Sequence, residues 1–288
     1  MTDTKYSEQQ STKKKKTKKD KQEEMSFLEH LEELRWHLIR AFLAIVFFAI
    51  LAFINKNFIF DTVIFNPKTA DFWTNRMFAR LADLTGIQDL MINSKELQLI
   101  SIKMADNFMT HIMVSIIGGL IVASPYVFYE IWRFISPALY ETERKHSGGA
   151  VVYMSILFIL GVLFGYYLIV PLSIHFLGSY SISAEVVNQI NMRSYIGTVT
   201  SISLASGVIF ELPIFVYFLS KVGILTPDLM KNYRRHAYVA LLLLSAIITP
   251  PDVFSQIMVC IPLVFLYEIG IVISRRVNKK AEEDLEAL

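Results

Sequence analysis

Long apolar runs alternate with short polar stretches along most of this sequence. Four of the runs contain about the 20 residues that an α-helix needs to cross the hydrocarbon core of a bilayer. Two shorter apolar runs follow them and are separated by Thr249, Pro250, Pro251 and Asp252. The pattern therefore predicts an all-α integral membrane protein with six transmembrane helices, at about residues 36–54, 108–128, 150–170, 195–219, 237–248 and 253–273.

The last two helices are predicted to be short. Their apolar runs, 237–248 and 253–267, would extend only about 18 and 22 Å, whereas the hydrocarbon core is about 30 Å thick. A bilayer often adapts to such a mismatch by thinning. We therefore expect the membrane to be locally thin around this hairpin.

The segment before the first apolar run has the pattern of an amphipathic helix. Ser26 and Glu29 have the spacing of a capping box. Within Ser26–Arg40, apolar residues recur at helical spacing on one face, at Phe27, Leu31, Leu34 and Leu38. Another face carries Glu29, Glu33 and His37. An ordinary interfacial helix with surface ion pairs, each contributing about 0–1 kcal/mol, would have the same pattern.

Residues 55–107 are the longest connection between two predicted spans. A short amphipathic helix is indicated there by Phe78, Leu81, Leu84 and Ile87. Residues 96–102 read as a short extended piece. This connection is therefore expected to form a sizeable extracytoplasmic segment.

Composition agrees with a membrane protein, because 53% of the 288 residues are hydrophobic. Residues 1–24 differ, being a lysine-rich polar leader that we expect to be disordered and to lie against anionic lipid rather than nucleic acid. Residues 25–276 are predicted to form the membrane domain, with Met25 as a second candidate start. Residues 277–288 are predicted to be a cytoplasmic tail.

Lysine and arginine are distributed unevenly over the predicted loops. Of the 28 in the chain, 21 fall on the side that holds both termini and 7 on the other side. Cytoplasmic loops of membrane proteins carry the excess of positive charge. Both termini are therefore predicted to be cytoplasmic, in a multi-pass protein of the cytoplasmic (inner) membrane.

Several kinds of chemistry are disfavoured by the residues present. The single cysteine, Cys260, excludes an internal disulfide and a thiolate metal cluster. No two of the six histidines are four residues apart, and neither a zinc-protease, a serine-hydrolase nor a phosphate-binding loop motif occurs. We expect no enzyme activity, no metal and no cofactor.

Polar residues inside the predicted spans are functional candidates. A carboxylate at the depth of Glu211 costs about 2.5–3.5 kcal/mol to insert, and Pro213 is expected to kink the same helix. The alternative for Glu211 is a protonated acid bonded to a neighbouring helix. Thr249 and Gln256 are weaker candidates, since either side chain can simply bond a backbone carbonyl.

One predicted cytoplasmic loop, Phe134–Arg144, has unusual chemistry. Pro137 breaks the preceding helix, and two acids, Glu141 and Glu143, follow it. An aromatic ring and carboxylates thus come together at one membrane surface. The loop fits a docking site for a cationic peptide, and an ordinary solvated connector is the alternative.

Four segments together resemble the TatC family, the multispanning receptors of the twin-arginine protein translocase. The segments are the run around His30–Arg35, the loop Phe134–Arg144, the stretch Phe210–Pro213 and the stretch Thr249–Gln256. The resemblance covers about Ser26 to Arg276. The lysine leader and the longer 66–104 segment depart from the family pattern.

This resemblance implies a function at the cytoplasmic face. It suggests that Glu33, Phe134 and Glu143 bind the Arg-Arg signal peptide of folded cargo, with Arg35 needed beside them. Two arginines fit two carboxylates because a guanidinium pairs with a carboxylate in a bidentate fork. The resemblance further implies single-span TatA/TatB-type partners, an oligomeric complex and transport driven by the protonmotive force.

The resemblance also assigns the intramembrane residues. It suggests that Glu211 lines the concave face of the fold, where a partner helix would bind near Thr249 and Gln256. Pro250 and Asp252 would form the last extracytoplasmic turn. The residues alone leave two alternatives open, an ion-coupled small-molecule transporter with Glu211 as its proton site and a membrane scaffold.

Overall fold

The computed structural model describes residues 27–87, 91–93, 97–135, 147–181, 183, 189–248 and 253–286. Nearly all of these residues are helical. The α-helices are α1 (Phe27–Ile54), α2 (Trp73–Thr85), α3 (Asp106–Ile135), α4 (Ser147–Phe164), α5 (Val170–Ser179), α6 (Met192–Phe210), α7 (Leu212–Lys221), α8 (Pro227–Asn232), α9 (Arg234–Ile248) and α10 (Val253–Glu286). The remaining elements are two π-helices (Phe58–Ile64 and Gly165–Ile169), a 3-10 helix (Asn66–Lys68), β1 (Leu99–Ile100) and β2 (Ile190–Asn191).

Within the described residues, five helical stretches are long and apolar enough to cross a membrane. They are Glu32–Ile54, Asp106–Ile135, Gly149–Ser179, Met192–Lys221 and Gln256–Lys279. The fifth predicted span, 237–248, lies in α9, which has 15 residues and is shorter than the about 20 residues that a span requires. The structure is thus a multi-pass helical bundle, with α9 as its short member.

The last helix corrects one prediction, because it is not short. α10 has 34 residues and continues well past the apolar run, which ends at residue 267, and past residue 273, where the span was predicted to end. The residues after that run include Arg275, Arg276 and Lys279, and such long-chain residues are good helix formers. The apolar length therefore underestimated the helical length. The first helix is also longer than its span, since the amphipathic segment continues into it without a break.

The two ends of the bundle differ. We call the end where α1 begins and α3 ends the basal end, and the opposite end, which carries α2 and both strands, the distal end.

α1 packs chiefly on α3, α4 on α6, and α10 on α7 and α9. The hydrophobic core is centred on α6, whose residues Ile196, Val199 and Ile202 are at most 2% exposed. Hence α6 is the helix around which the others are arranged.

Small residues let α4 and α6 approach closely. A methyl carbon at Gly161 would lie 2.5 Å from the carbonyl oxygen of Ser206, and one at Gly165 would lie 2.7 Å from the Ser206 hydroxyl. On the opposite helix, a methyl carbon at Gly207 would lie 2.7 Å from Val162. Membrane helices gain little from the hydrophobic effect between themselves, so close van der Waals packing of this kind is a main source of their association.

Prolines within the spans leave carbonyls without their helical partners, and nearby hydroxyl groups bond these carbonyls. Pro125 cannot donate to the carbonyl of Ile121, and the Ser124 hydroxyl donates to that oxygen at 2.8 Å. Pro171 cannot donate to the carbonyl of Tyr167, and the Thr74 hydroxyl from α2 donates there instead. A bilayer offers no water for such groups, so each of these hydroxyls makes a proline tolerable.

The elements at the distal end, which together form the distal layer, are held together by hydrogen bonds from buried polar side chains. The Asn75 amide donates to the carbonyl of Thr69 at 2.7 Å, and the Asn93 amide donates to the carbonyl of Pro171 at 2.9 Å. The Tyr195 hydroxyl donates to the carbonyl of Ile64 at 2.9 Å. The predicted short helix is confirmed as α2, but its apolar residues face outward, with Leu84 84% exposed, while Thr74 and Asn75 are buried.

β1 and β2 are two-residue strands that pair in parallel, with Leu99 opposite Ile190 and Ile100 opposite Asn191. The extended piece expected at 96–102 is therefore present as β1, and residues 94–96 lie outside the described ranges. The first strand precedes α3 and the second follows α5. Their pairing places both connections at the same end of the bundle, as the predicted alternation of spans requires.

We expect Gly161→Ala to lower the free energy of unfolding of the purified protein by about 1–3 kcal/mol, and with it the unfolding temperature, because the added methyl group overlaps the backbone of α6. The matched control is Gly197→Ala, since nothing lies within 4 Å of a methyl carbon at Gly197. This control should be neutral or stabilising, because alanine is the better helix former. Thermal unfolding of both variants in the same detergent measures the difference, and equal midpoints would contradict the close approach of α4 and α6.

Candidate functional site

A cluster of charged and aromatic side chains joins α1 to α3 at the basal end. Its centre is Glu130, which is 2% exposed although it lies in an otherwise apolar helix. The His37 ring nitrogen Nδ1 lies 2.5 Å from one Glu130 oxygen, and the Tyr126 hydroxyl donates to the other at 2.7 Å. Arg40 Nη1 lies 3.8 Å from the same carboxylate. The buried charge is thus surrounded by three donor groups.

His37 connects this cluster to two predicted binding residues. Its Nε2 lies 4.0 Å from a carboxylate oxygen of Glu33, one helical turn earlier on α1. Its ring also packs on Phe134, with a centroid separation of 6.3 Å. Glu33 and Phe134, which are far apart in sequence, are therefore neighbours of one imidazole. The structure brings these two predicted residues together, and the second carboxylate of the prediction, Glu143, lies outside the described residues.

Glu33 is the accessible carboxylate of this group. Its side chain is 41% exposed, and the His37 nitrogen at 4.0 Å is its nearest charged partner among the described side chains. Arg35 pairs instead with Glu32, at 3.4 Å, and its guanidinium lies 5.6 Å from the Trp36 ring centroid. The acid predicted to bind a cation is consequently available to one from outside the chain.

A second candidate position lies within the membrane span, at Glu211. The helix breaks there, with α6 ending at Phe210 and α7 starting at Leu212, and Pro213 explains the break because it cannot donate into the preceding turn. Glu211 is 5% exposed, and neither carboxylate oxygen has a hydrogen-bond donor at bonding geometry among the described residues. The kink was predicted, and the buried carboxylate without a donor is the notable result.

The remaining predicted residues belong to the last hairpin. Gln256 donates to the carbonyl of Leu242 at 3.2 Å, so it has the structural role that was offered as its alternative and ties α10 to α9. Thr249, Pro250 and Asp252 lie outside the described residues.

Sequence reasoning missed the Glu130 cluster. The predicted second span stopped at residue 128, so Glu130 was not considered, whereas α3 continues to Ile135. The available signal was the spacing of Tyr126 and Glu130, four residues apart on one helical face.

A related arrangement was also missed in α10, where Glu268 accepts from Arg234 at 2.8 Å and from Tyr238 at 2.5 Å. Among the described side chains, no group of three or more His, Cys, Asp or Glu residues could hold a metal ion.

These features define a class of protein, namely a multi-pass helical membrane protein with an acidic and aromatic surface at one end and a buried carboxylate in a broken span. Comparison with known proteins identifies the family. The family model of the Sec-independent protein translocase protein (TatC) matches residues 29–262. The chain therefore belongs to the TatC family.

Individual relatives agree with this assignment. The chain is 41% identical over 259 residues to the Sec-independent protein translocase protein TatC of Blattabacterium sp. subsp. Periplaneta americana, covering 89% of this chain and 97% of the relative. It is 32% identical over 264 residues to TatCy of Bacillus subtilis, covering 92% and 94%. A crystal structure of the twin-arginine translocase receptor TatC matches with a TM-score of 0.66 and 31% identity, covering 87% of this chain and all of that one.

We expect Glu211→Gln to raise the free energy of unfolding of the protein by about 1–2 kcal/mol. The reason is that removing an amide from water costs less free energy than removing a carboxylate that then has no donors at hydrogen-bonding geometry. Glu268→Gln is the matched control, since that carboxylate has two donors and its loss should lower stability. Thermal unfolding of both variants tests this contrast. A destabilised Glu211→Gln protein would mean that the carboxylate has a stabilising partner.

Proposed function

We propose that this protein is the receptor subunit of a twin-arginine translocase in the cytoplasmic membrane. In this proposal the basal end faces the cytoplasm and binds the Arg-Arg signal peptide of a folded cargo protein. The positive-inside distribution of lysine and arginine supports this orientation. The observation that carries the proposal is the accessible Glu33 carboxylate beside Phe134, at the basal end of a TatC-family bundle.

The proposed contact involves two arginines and two carboxylates. One arginine pairs with Glu33, and the other pairs with Glu143 on the loop after α3. Phe134 supplies an apolar or cation–π contact to the peptide. Arg35 is already paired with Glu32, so it does not need to compete with the peptide for Glu33. Nothing in the chain resembles a nucleotide site, and the membrane potential, at about 2.3 kcal/mol per charge per 100 mV, is the proposed source of energy.

The partners in this proposal are single-span proteins of the TatA/TatB type, in an oligomeric complex. Glu211 supports a partner site inside the membrane because its buried carboxylate has no donor in the described part of the chain. A polar side chain of a partner helix that entered beside the α6–α7 break would supply that donor. Interhelical hydrogen bonds of this kind contribute about 0.6–2 kcal/mol.

Signal-peptide affinity tests the receptor proposal. If the peptide desolvates the carboxylates, Glu33→Ala and Glu143→Ala should each weaken binding by about 2–5 kcal/mol, and a Lys-Lys signal should bind worse than an Arg-Arg signal. The double variant should show strong coupling between the two sites. Losses of less than about 1 kcal/mol that disappear in high salt are what a solvated surface would give, and they would contradict the proposal.

Crosslinking tests the partner proposal. We expect Glu211→Ala to reduce crosslinking of a TatA/TatB-type partner to positions near the α6–α7 break, while signal-peptide affinity changes little, because Glu211 lies within the span rather than at the basal end. The control is Gln256→Ala, whose side chain bonds a carbonyl within the chain. Equal loss of partner crosslinking and signal binding in Glu211→Ala would count against a partner site there.

A further inference from the structure

The basal end holds several basic side chains close to the accessible Glu33 carboxylate. His37 and Arg40 lie on the same helix as Glu33, and Arg35 lies two residues after it. On a helix, residues four apart are neighbours, so His37 is placed to pair with Glu33. Nevertheless their closest atoms are 4.0 Å apart, which is beyond hydrogen-bonding distance.

The reason is that each basic side chain is directed to another acid. His37 Nδ1 lies 2.5 Å from Glu130, and Arg40 Nη1 lies 3.8 Å from the same carboxylate. Arg35 pairs with Glu32 at 3.4 Å. Of these side chains, His37 is the one within reach of Glu33, because Arg40 is two turns, or about 10 Å, farther along the helix.

Burial strengthens the hydrogen bond between His37 and Glu130 relative to the contact between His37 and Glu33. His37 is 5% exposed and Glu130 is 2% exposed, whereas the Glu33 side chain is 41% exposed. A charge-assisted hydrogen bond in a site without water is stronger than the same contact at a surface. Tyr126 occupies the second Glu130 oxygen, so the carboxylate is fixed with its first oxygen toward the imidazole.

We infer that Glu130 is a positioning residue that holds the His37 imidazole away from Glu33 and thereby keeps the Glu33 carboxylate free for a signal arginine. The inference rests on the proposed function, because it concerns the same binding site. Without the Glu130 charge, the imidazole turns toward Glu33 and donates an N–H to it. An imidazole can donate in either protonation state. The incoming guanidinium must then displace an internal partner.

The test is a double-mutant cycle on the full-length protein in detergent, using a fluorescent synthetic Arg-Arg signal peptide. Glu130→Gln should weaken binding about tenfold, which is the scale for a carboxylate that already has an internal partner. His37→Phe, added to that variant, should restore most of the affinity, because phenylalanine keeps an aromatic ring and has no hydrogen-bond donor to compete for Glu33. The gain from His37→Phe should be about fivefold larger in the Glu130→Gln background than in the unaltered protein.

The cycle separates competition from two simpler effects. If Glu130 acts only through its long-range charge, His37→Phe changes affinity by the same factor in both backgrounds. If Glu130 acts only by holding α1 against α3, the double variant binds as weakly as Glu130→Gln or more weakly. Either result overturns the inference. Glu268→Gln is the matched control, because it removes a carboxylate with similar arginine and tyrosine contacts at another basal position.

A second readout is discrimination between arginine and lysine. A free carboxylate accepts the two-pronged guanidinium, whereas an occupied one does not, so Glu130→Gln should reduce the preference for an Arg-Arg over a Lys-Lys peptide. A partly unfolded sample would lose both affinities in proportion and leave the preference unchanged. If Glu130→Gln does not fold, Glu130→Asp replaces it as the test variant. It retains the charge but moves the carboxylate away from His37 by the length of one carbon. The preference for an Arg-Arg over a Lys-Lys peptide must then also fall.

Glu33→Gln distinguishes the inference from the function on which it depends. Weak binding in Glu33→Gln together with normal binding in Glu130→Gln would overturn the inference and leave the receptor proposal standing. Equal binding by Glu33→Gln and the unaltered protein would overturn the receptor proposal and the inference with it.

Discussion

A carboxylate that is buried in a helical bundle must be given donors, and at the basal end this requirement ties the first span to the second. Glu130 on α3 obtains two of its three donor groups from α1 and one from its own helix. The peripheral first helix, whose outer face carries exposed residues such as Phe42 and Phe47, is thereby fixed in rotation as well as position. A purely apolar contact between the same helices would not determine that rotation.

Glu130 and Glu211 are both deeply buried acids, but they follow opposite rules. Glu130 is fully provided with donors, which is typical of a structural charge, whereas Glu211 is buried without a hydrogen-bond donor in the described part of the chain. Membrane proteins retain such an uncompensated group at a cost in stability, and the cost is acceptable when another molecule supplies the missing contact. The contrast explains why burial alone does not identify a functional acid, and why its hydrogen-bond partners must be known.

Most of the architecture could be predicted from apolar runs, because a bilayer requires long apolar helices and the chain has few other long apolar segments. Helix ends were less predictable. α3 and α10 continue past their apolar runs, since good helix formers extend a helix into the polar region. Around the site, the resemblance to a family supplied Glu33, Arg35 and Phe134, but no local pattern reveals that His37 is bonded to an acid 93 residues away. The burial of Thr74 and Asn75 on α2 was not predicted for the same reason, because Thr74 bonds the carbonyl that Pro171 frees and Asn75 bonds the carbonyl of Thr69.

The parallel pair of β1 and β2 has a consequence for how the protein is assembled. β1 lies in the connection after the first span and β2 in the connection after the third. In the proposed orientation, with the basal end in the cytoplasm, the pair cannot form until both connections have crossed the membrane. The chain is synthesised from its N-terminus, and β1 must wait through two further insertion steps for its partner. The distal layer therefore closes late during biogenesis. Until then, the backbone groups of β1 that later bond β2 are open to water or to a chaperone on that side of the membrane.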